Sequence, residues 1–258
     1  MNGLLALALA VPAAAAGQER ESLPAMTESA AAAALMADRD SPDIWRAIGL
    51  AVDLGPRAGQ ELRAAVIDAA WTEARGGGSG DPDRMFLLFE AAEGFRDPRA
   101  IPLMIEALKY GGGVKDALAD LGAAAFPATL AAVSDPSGHW SRIGAGLDAL
   151  RFMTEDGALG PRQLGQVREA VRERLSGPSQ GAVGSGSSFV VNAALQLAVA
   201  LGDPELRRIV ERIATDRAFV GELIPDSGTD EWQLDEVQET ARSLLSGASL
   251  PPHRRPLR

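Results

Sequence analysis

One pattern restricts this chain more than any other: an apolar residue and a proline opening a helical stripe. Ile101-Pro102 is followed by Ile105 and Leu108, and Phe126-Pro127 by Leu130 and Val133. Offsets of four and seven residues fall on one face of an α-helix. The proline fits in the first turn, where a backbone N–H has no acceptor within the helix. Leu206, Val210 and Ile213 repeat the same spacing without the proline. Leu121-Gly122 precedes Phe126 as Leu201-Gly202 precedes Leu206, and Asp97-Pro98, Asp135-Pro136 and Asp203-Pro204 lie between apolar stripes, where caps and helix starts are needed. A helix, a tight turn, a second helix and a short return, repeated, predict stacking, because one such pair cannot bury its apolar face alone.

The flanking segments carry the same signals. Ser41 is placed to cap a helix with Pro42 at its first position, Ile44, Ile48 and Ala51 share a face, and Gly55-Pro56 ends it. Leu62, Val66, Ala69 and Ala70 stripe a helix over about 58–74, and Asp81 or Asp83 starts another that offers Phe86, Phe89 and Ala92 to the core. No stretch alternates as a strand does. The predicted fold class is therefore all-α: an α-solenoid of stacked antiparallel helix pairs, about four to five of them, with irregular terminal repeats. Abundant alanine and an aromatic content of 5 % suit close-packed short helices. Gly144 and Gly146 inside a helix cost about 1 kcal/mol each relative to Ala, which points to close helix contact there.

Stretches such as DPRAIPLMIEAL, VKDALADLGAAAFPATLAAVSDP and ALQLAVALGDPELRRIVERI resemble bacterial HEAT repeats. In that family a helix ending in Leu-Gly meets an Asp-Pro turn, and the second helix carries Ile-Pro-x-Leu-x-x-x-Leu. Leu201-Gly202-Asp203-Pro204 and Ile101-Pro102 carry the match best. The resemblance covers about 83–153 and 188–215. It is looser over 42–75, where Leu54-Gly55-Pro56 stands in for the turn, and it weakens over 161–187 and 217–247. It implies a HEAT-like, armadillo-like binding scaffold.

Several chemistries find little material. The chain has no Cys and two His, so thiol nucleophiles, Cys-ligated zinc and disulfides are excluded. A net charge of −10 argues against nucleic acid, whose binding depends on neutralising phosphates. Gly177-Pro178-Ser179-Gln180-Gly181 matches a nucleophile elbow, but a Gly/Ser-rich run follows it instead of a strand–turn–helix context. Gly144-Ala145-Gly146-Leu147-Asp148-Ala149 fits a dinucleotide fingerprint without its preceding strand. Asp38, Asp40 and Asp43 lack the Gly and Glu that a calcium loop places at its sixth and twelfth positions. The HEAT-like hydroxylases hold iron with His-Glu pairs, and this chain has no such dipeptide. No catalytic, cofactor-binding or metal-ligating residue and no cofactor is therefore expected.

Among the aromatic residues, His139-Trp140 after the Asp135-Pro136-Ser137-Gly138 turn is the candidate interaction pair, the alternative being a Trp packed between repeats. For the charged helices, Glu169–Arg172 and Arg208–Glu211 are the expected pairs.

Residues 2–16 are uncharged and apolar, and Ala14-x-Ala16 fits a signal-peptidase site. The run is shorter than the roughly 20 residues of a membrane span. The expected organisation is a signal peptide over 1–16 whose n-region lacks Lys and Arg, an N-terminal segment with an Ala-rich helix over 17–40, the solenoid over 41–247 with a Gly/Ser-rich loop at about 176–188, and a flexible basic tail over 248–258. The expected function is that of a periplasmic or secreted scaffold or adaptor for another protein, with no catalysis, nucleic acid or membrane span. Two other readings stand beside it: an enzyme or small-ligand protein with an acidic groove, and a structural module of an envelope complex.

Overall fold

A computed structural model describes residues 25–37, 41–76, 80–111, 113–177, 186–224 and 231–247. The expected export segment, Asp38 and Asp40, most of the Gly/Ser loop with the nucleophile-like motif, and the basic tail lie outside the described residues. Within them the chain is all-helical, and no strand occurs. The helices are α1 (Glu28–Met36), α2 (Asp43–Leu54), α3 (Gln60–Ala74), α4 (Pro82–Gly94), α5 (Ile101–Ala107), α6 (Val114–Leu121), α7 (Phe126–Ser134), α8 (Trp140–Glu155), α9 (Pro161–Ser176), α10 (Gly186–Leu201), α11 (Pro204–Thr215), α12 (Arg217–Leu223) and α13 (Glu231–Leu245).

The turn chemistry accounts for the boundaries. Gly55, Gly122 and Gly202, each after a leucine, have φ of +49°, +51° and +61°. This left-handed conformation lets the chain leave a helix sharply, and glycine adopts it without a Cβ penalty. Arg96 takes the corresponding place in Phe95-Arg96-Asp97-Pro98 with φ +51°. The left-handed turn thus survives there without glycine, and Arg96 reaches Asp120 of α6 at 3.4 Å. Asp81 and Asp203 cap α4 and α11, with Pro82 and Pro204 at the first helical position. Asp97 caps the short 3₁₀ turn that leads into α5. Asp135-Pro136 differs from the sequence expectation. Asp135 closes α7 and its carboxylate accepts from the Ser137 backbone at 2.9 Å, while His139 caps α8. An Asp-Pro step followed by Ser-Gly turns the chain before the helix begins.

The stripes read from the sequence are the buried faces. Ile44, Ile48 and Ala51, then Leu62, Val66, Ala69 and Ala70, then Leu206, Val210 and Ile213 are all in the core. Ile105 and Leu130, the middle positions of the two proline-led stripes, are half-buried. Phe86 departs from expectation: it is 45 % exposed, while Phe89 and Ala92 on the same helix are buried. Phe86 lies three residues before Phe89 but off the narrow stripe formed by Leu88, Ala91, Ala92 and Phe95.

Helices meet in two successions. In one, α2 packs on α4, α4 on α6, α6 on α8, α8 on α10 and α10 on α13; in the other, α3 packs on α5, α5 on α7, α7 on α9, α9 on α11 and α11 on α13. Like ends lie together where contacts fix direction. The C-terminal glycines Gly55 and Gly94 approach backbone to backbone, and Lys115 and Gly122 of α6 and its C-cap meet Asp148 and Ala158 in the same order. α1 covers α2 and α3 at one end. A contiguous apolar core runs from Ala31 to Leu244. The buried pair Glu73–Arg84, at 3.0 Å, ties α3 to α4.

α8 carries both helix glycines. A Cβ on Gly144 would collide with the Phe189 ring of α10, and one on Gly146 would come within 2.9 Å of Val133 Cγ2 of α7. The two glycines let α8 approach its neighbours closely, as their position in the sequence suggested.

Candidate functional site

The start of α8 is built from its cap outward. His139 has extended backbone geometry, and its Nδ1 accepts from the Ser141 N–H at 3.3 Å. Ser141 Oγ donates to the Lys109 carbonyl at 2.9 Å, fixing this helix start to the 3₁₀ turn after α5. The His139 ring is exposed and lies 5.3 Å from that of Trp140. Trp140 is half-buried and meets Phe189 edge-on, with centroids 5.6 Å apart. The indole packs against α10 and is partly open to the surface.

The aromatic edge continues in the other direction. Tyr110, in the 3₁₀ turn after α5, lies 5.9 Å from Phe89 of α4, and the Lys109 ammonium sits 4.8 Å from the Tyr110 ring centroid. Tyr110 is 37 % exposed and Phe189 40 %. Tyr110, His139 and Phe189 thus reach the surface, with Phe89 buried behind Tyr110. Aromatic pairs of this kind contribute about 0.5–1.5 kcal/mol beyond their buried area.

The charges around this edge are paired. Lys109 bonds Glu106, which holds the ammonium pKa above its ordinary value. Arg142 reaches Glu106 at 3.5 Å and Asp135 at 3.4 Å. Asp135 is held below the usual carboxylate range by its hydrogen bonds from Ser137, with Arg142 and Arg174 adding to the effect. Arg174 of α9 donates to the Val133 carbonyl at 3.2 Å and to that of Asp135, and burial lowers its pKa. It crosses a shallow cleft of about 160 Å³ between the ends of α7 and α9, bordered by Pro136 and Glu173.

No family model matches the chain, and neither a curated protein nor a solved structure does.

The structure sets Trp140 against Phe189 and ties the His139–Ser141 helix start to Lys109, next to Tyr110; the sequence reading singled out neither Phe189 nor Tyr110. Tyr110 carried a usable signal as the one tyrosine in the chain, placed just before a glycine run. Phe189 carried none, because Phe189-Val190-Val191 is apolar throughout and does not reveal which member faces outward. Among the described residues no group of three His, Asp or Glu is placed to hold a metal ion, and no single helix is long and apolar enough to cross a membrane. Gly144 to Ala149, the fingerprint-like run, lies wholly inside α8.

Proposed function

We propose that this chain is a HEAT-like α-solenoid that works as a protein-binding scaffold or adaptor after export, holding its partner at the aromatic edge. The solenoid reading is supported by the two successions of helix contacts, in which α2 to α9 each meet the next but one. The binding reading rests on one observation: Trp140 and Phe189 form a ring pair whose Phe189 member stays 40 % exposed. Large aromatic side chains at a surface are the residue type that concentrates binding energy in protein interfaces. The export reading rests on the uncharged run at 2–16 and the Ala14-x-Ala16 site.

The test compares capture by the wild-type chain and by Phe189→Ala and Tyr110→Ala, using the exported fraction of the source cells. The expected result is a recurrent protein that the wild type retains and both variants lose, with circular dichroism unchanged. Repeated captures with no partner, or a partner held equally by all three chains, would overturn the assignment of the edge.

A further inference from the structure

A carboxyl group lies where α4 meets α6, and two further carboxylates stand on the same two helices. Glu93 is in the last turn of α4, beside the negative end of that helix's dipole. Its side chain reaches across to Gly113, the N-cap of α6, where the positive end of that helix's dipole offsets part of this field. A Cβ built on Gly113 would stand 2.8 Å from Glu93 Oε2, so the carboxyl rests on bare backbone that any larger residue would cover. Glu90 stands one turn earlier on α4, and Asp116 occupies the first turn of α6.

We propose that Glu93 makes the α4–α6 joint proton-sensitive: the neutral carboxyl seats the end of α4 on the start of α6, and ionisation sets three carboxylates against one another at that contact. This does not depend on the scaffold reading, because it concerns packing between two helices whatever the molecule binds.

The cations nearby are engaged elsewhere. Lys115 of α6 pairs with Asp148 of α8 at 2.8 Å, and Arg96 with Asp120 at 3.4 Å. Arg84 of α4 pairs with Glu73 of α3, and Lys109 after α5 with Glu106. From the turn after α2, Arg57 donates to the Asp53 carbonyl. Burial, then Glu90, then Asp116 push the Glu93 carboxyl up to about 8. Its unfolded value is near 4.5, so between these limits the folded chain holds a proton that the unfolded chain has released. Stability from this group is fully present below about 4.5 and is lost as pH rises through about 8. At pH 7 the folded population is protonated at Glu93 by about ten to one.

The experiment measures the thermal midpoint from pH 6 to 9 for the full wild-type chain, Glu93→Gln and Asp116→Asn. It also follows the Glu93 side-chain carboxyl carbon by NMR in the wild type and in Asp116→Asn. The expected result is a midpoint that falls with rising pH in the wild type and stays flatter in Glu93→Gln. In Asp116→Asn the fall should level off at lower pH, because removing the like charge makes Glu93 easier to ionise without changing its burial. That last shift has a definite sign: the Glu93 carbon must titrate lower in Asp116→Asn, and the amplitude of the midpoint fall must shrink with it. A Glu93 carbon that titrates in the ordinary range of 4–5 in the wild type would overturn the proposal. So would a Glu93→Gln profile parallel to that of the wild type. Should Glu93→Gln fail to fold, the wild-type titration decides alone.

Discussion

At the scale of single residues, Gly144 and Phe189 form a lock that can be tested by sign. Phe189 packs where a Cβ on Gly144 would have to be, so Gly144→Ala must expel the ring or part α8 from α10. Overpacking costs about 1–3 kcal/mol, against about 1 kcal/mol returned by the better helix propensity of Ala. Gly144→Ala alone is therefore expected to lower the urea midpoint. In a Phe189→Ala background the obstruction is gone and only the propensity gain remains, so the same substitution should raise the midpoint. A stabilising effect in both backgrounds would show that the ring does not require the glycine. The sequence pointed to close contact at Gly144, since a mid-helix glycine costs stability that something must offset. It could not name Phe189 as the neighbour, because no local rule says which ring of a distant helix will arrive. The same limit explains Phe86: counting at helical spacing marks it as available to the core, and only the width of the groove α4 meets decides that it stays outside.

Among elements, the boundaries were the most legible part of the sequence. Leu-Gly followed by Asp-Pro specifies a left-handed exit and a capped entry by local chemistry alone, and Leu201-Gly202-Asp203-Pro204 behaves that way. Where the motif drifts, reading fails in two directions. Phe95-Arg96-Asp97-Pro98 makes the turn without glycine, and Asp135-Pro136 has the right residues but makes a different turn because Ser137 competes for its carboxylate. Ion pairs were read less well. Arg172–Glu169 forms as expected, but Glu211 pairs with Arg207 at 3.1 Å, at a spacing of four, in place of Arg208. Surface pairs of this kind are set by rotamers worth a few tenths of a kcal/mol. The cap on α11 is a stronger element-scale test. Asp203 accepts from the Glu205 and Leu206 backbones at 2.9 and 3.2 Å. Asp203→Ala should cost about 1 kcal/mol. Asp203 also lies 3.4 Å from Arg168 of α9. Asp203→Asn keeps the cap and removes that ion pair, so it should recover most of the loss in chemical denaturation. If Asn is as damaging as Ala, the ion pair rather than the cap holds α11 in place.

For the whole molecule, the repeated stripe implied that neighbouring pairs share one core, and the apolar cluster from Ala31 to Leu244 agrees with that. The candidate site was legible only in part, because His139-Trp140 is adjacent in sequence whereas Tyr110 and Phe189 join it through packing of α5 and α10 against α8. The overall shape has a consequence that can be measured in solution. A compact globule of 258 residues has a radius of gyration near 18 Å, from the scaling of size with chain length. If each helix pair contacts mainly its neighbours, mass is spread along one axis, and the radius must exceed that value. Small-angle scattering on the monomeric protein is expected to give a radius clearly above about 18 Å, with a distance distribution skewed to long separations. The decisive comparison uses a chain trimmed to 25–247, the span that holds the described helices. An elongated trimmed chain supports the solenoid, because the excess then belongs to the helices themselves. A symmetric distribution at the compact value would mean that the two successions of helices curl back on one another, leaving a closed helical domain in place of an open array.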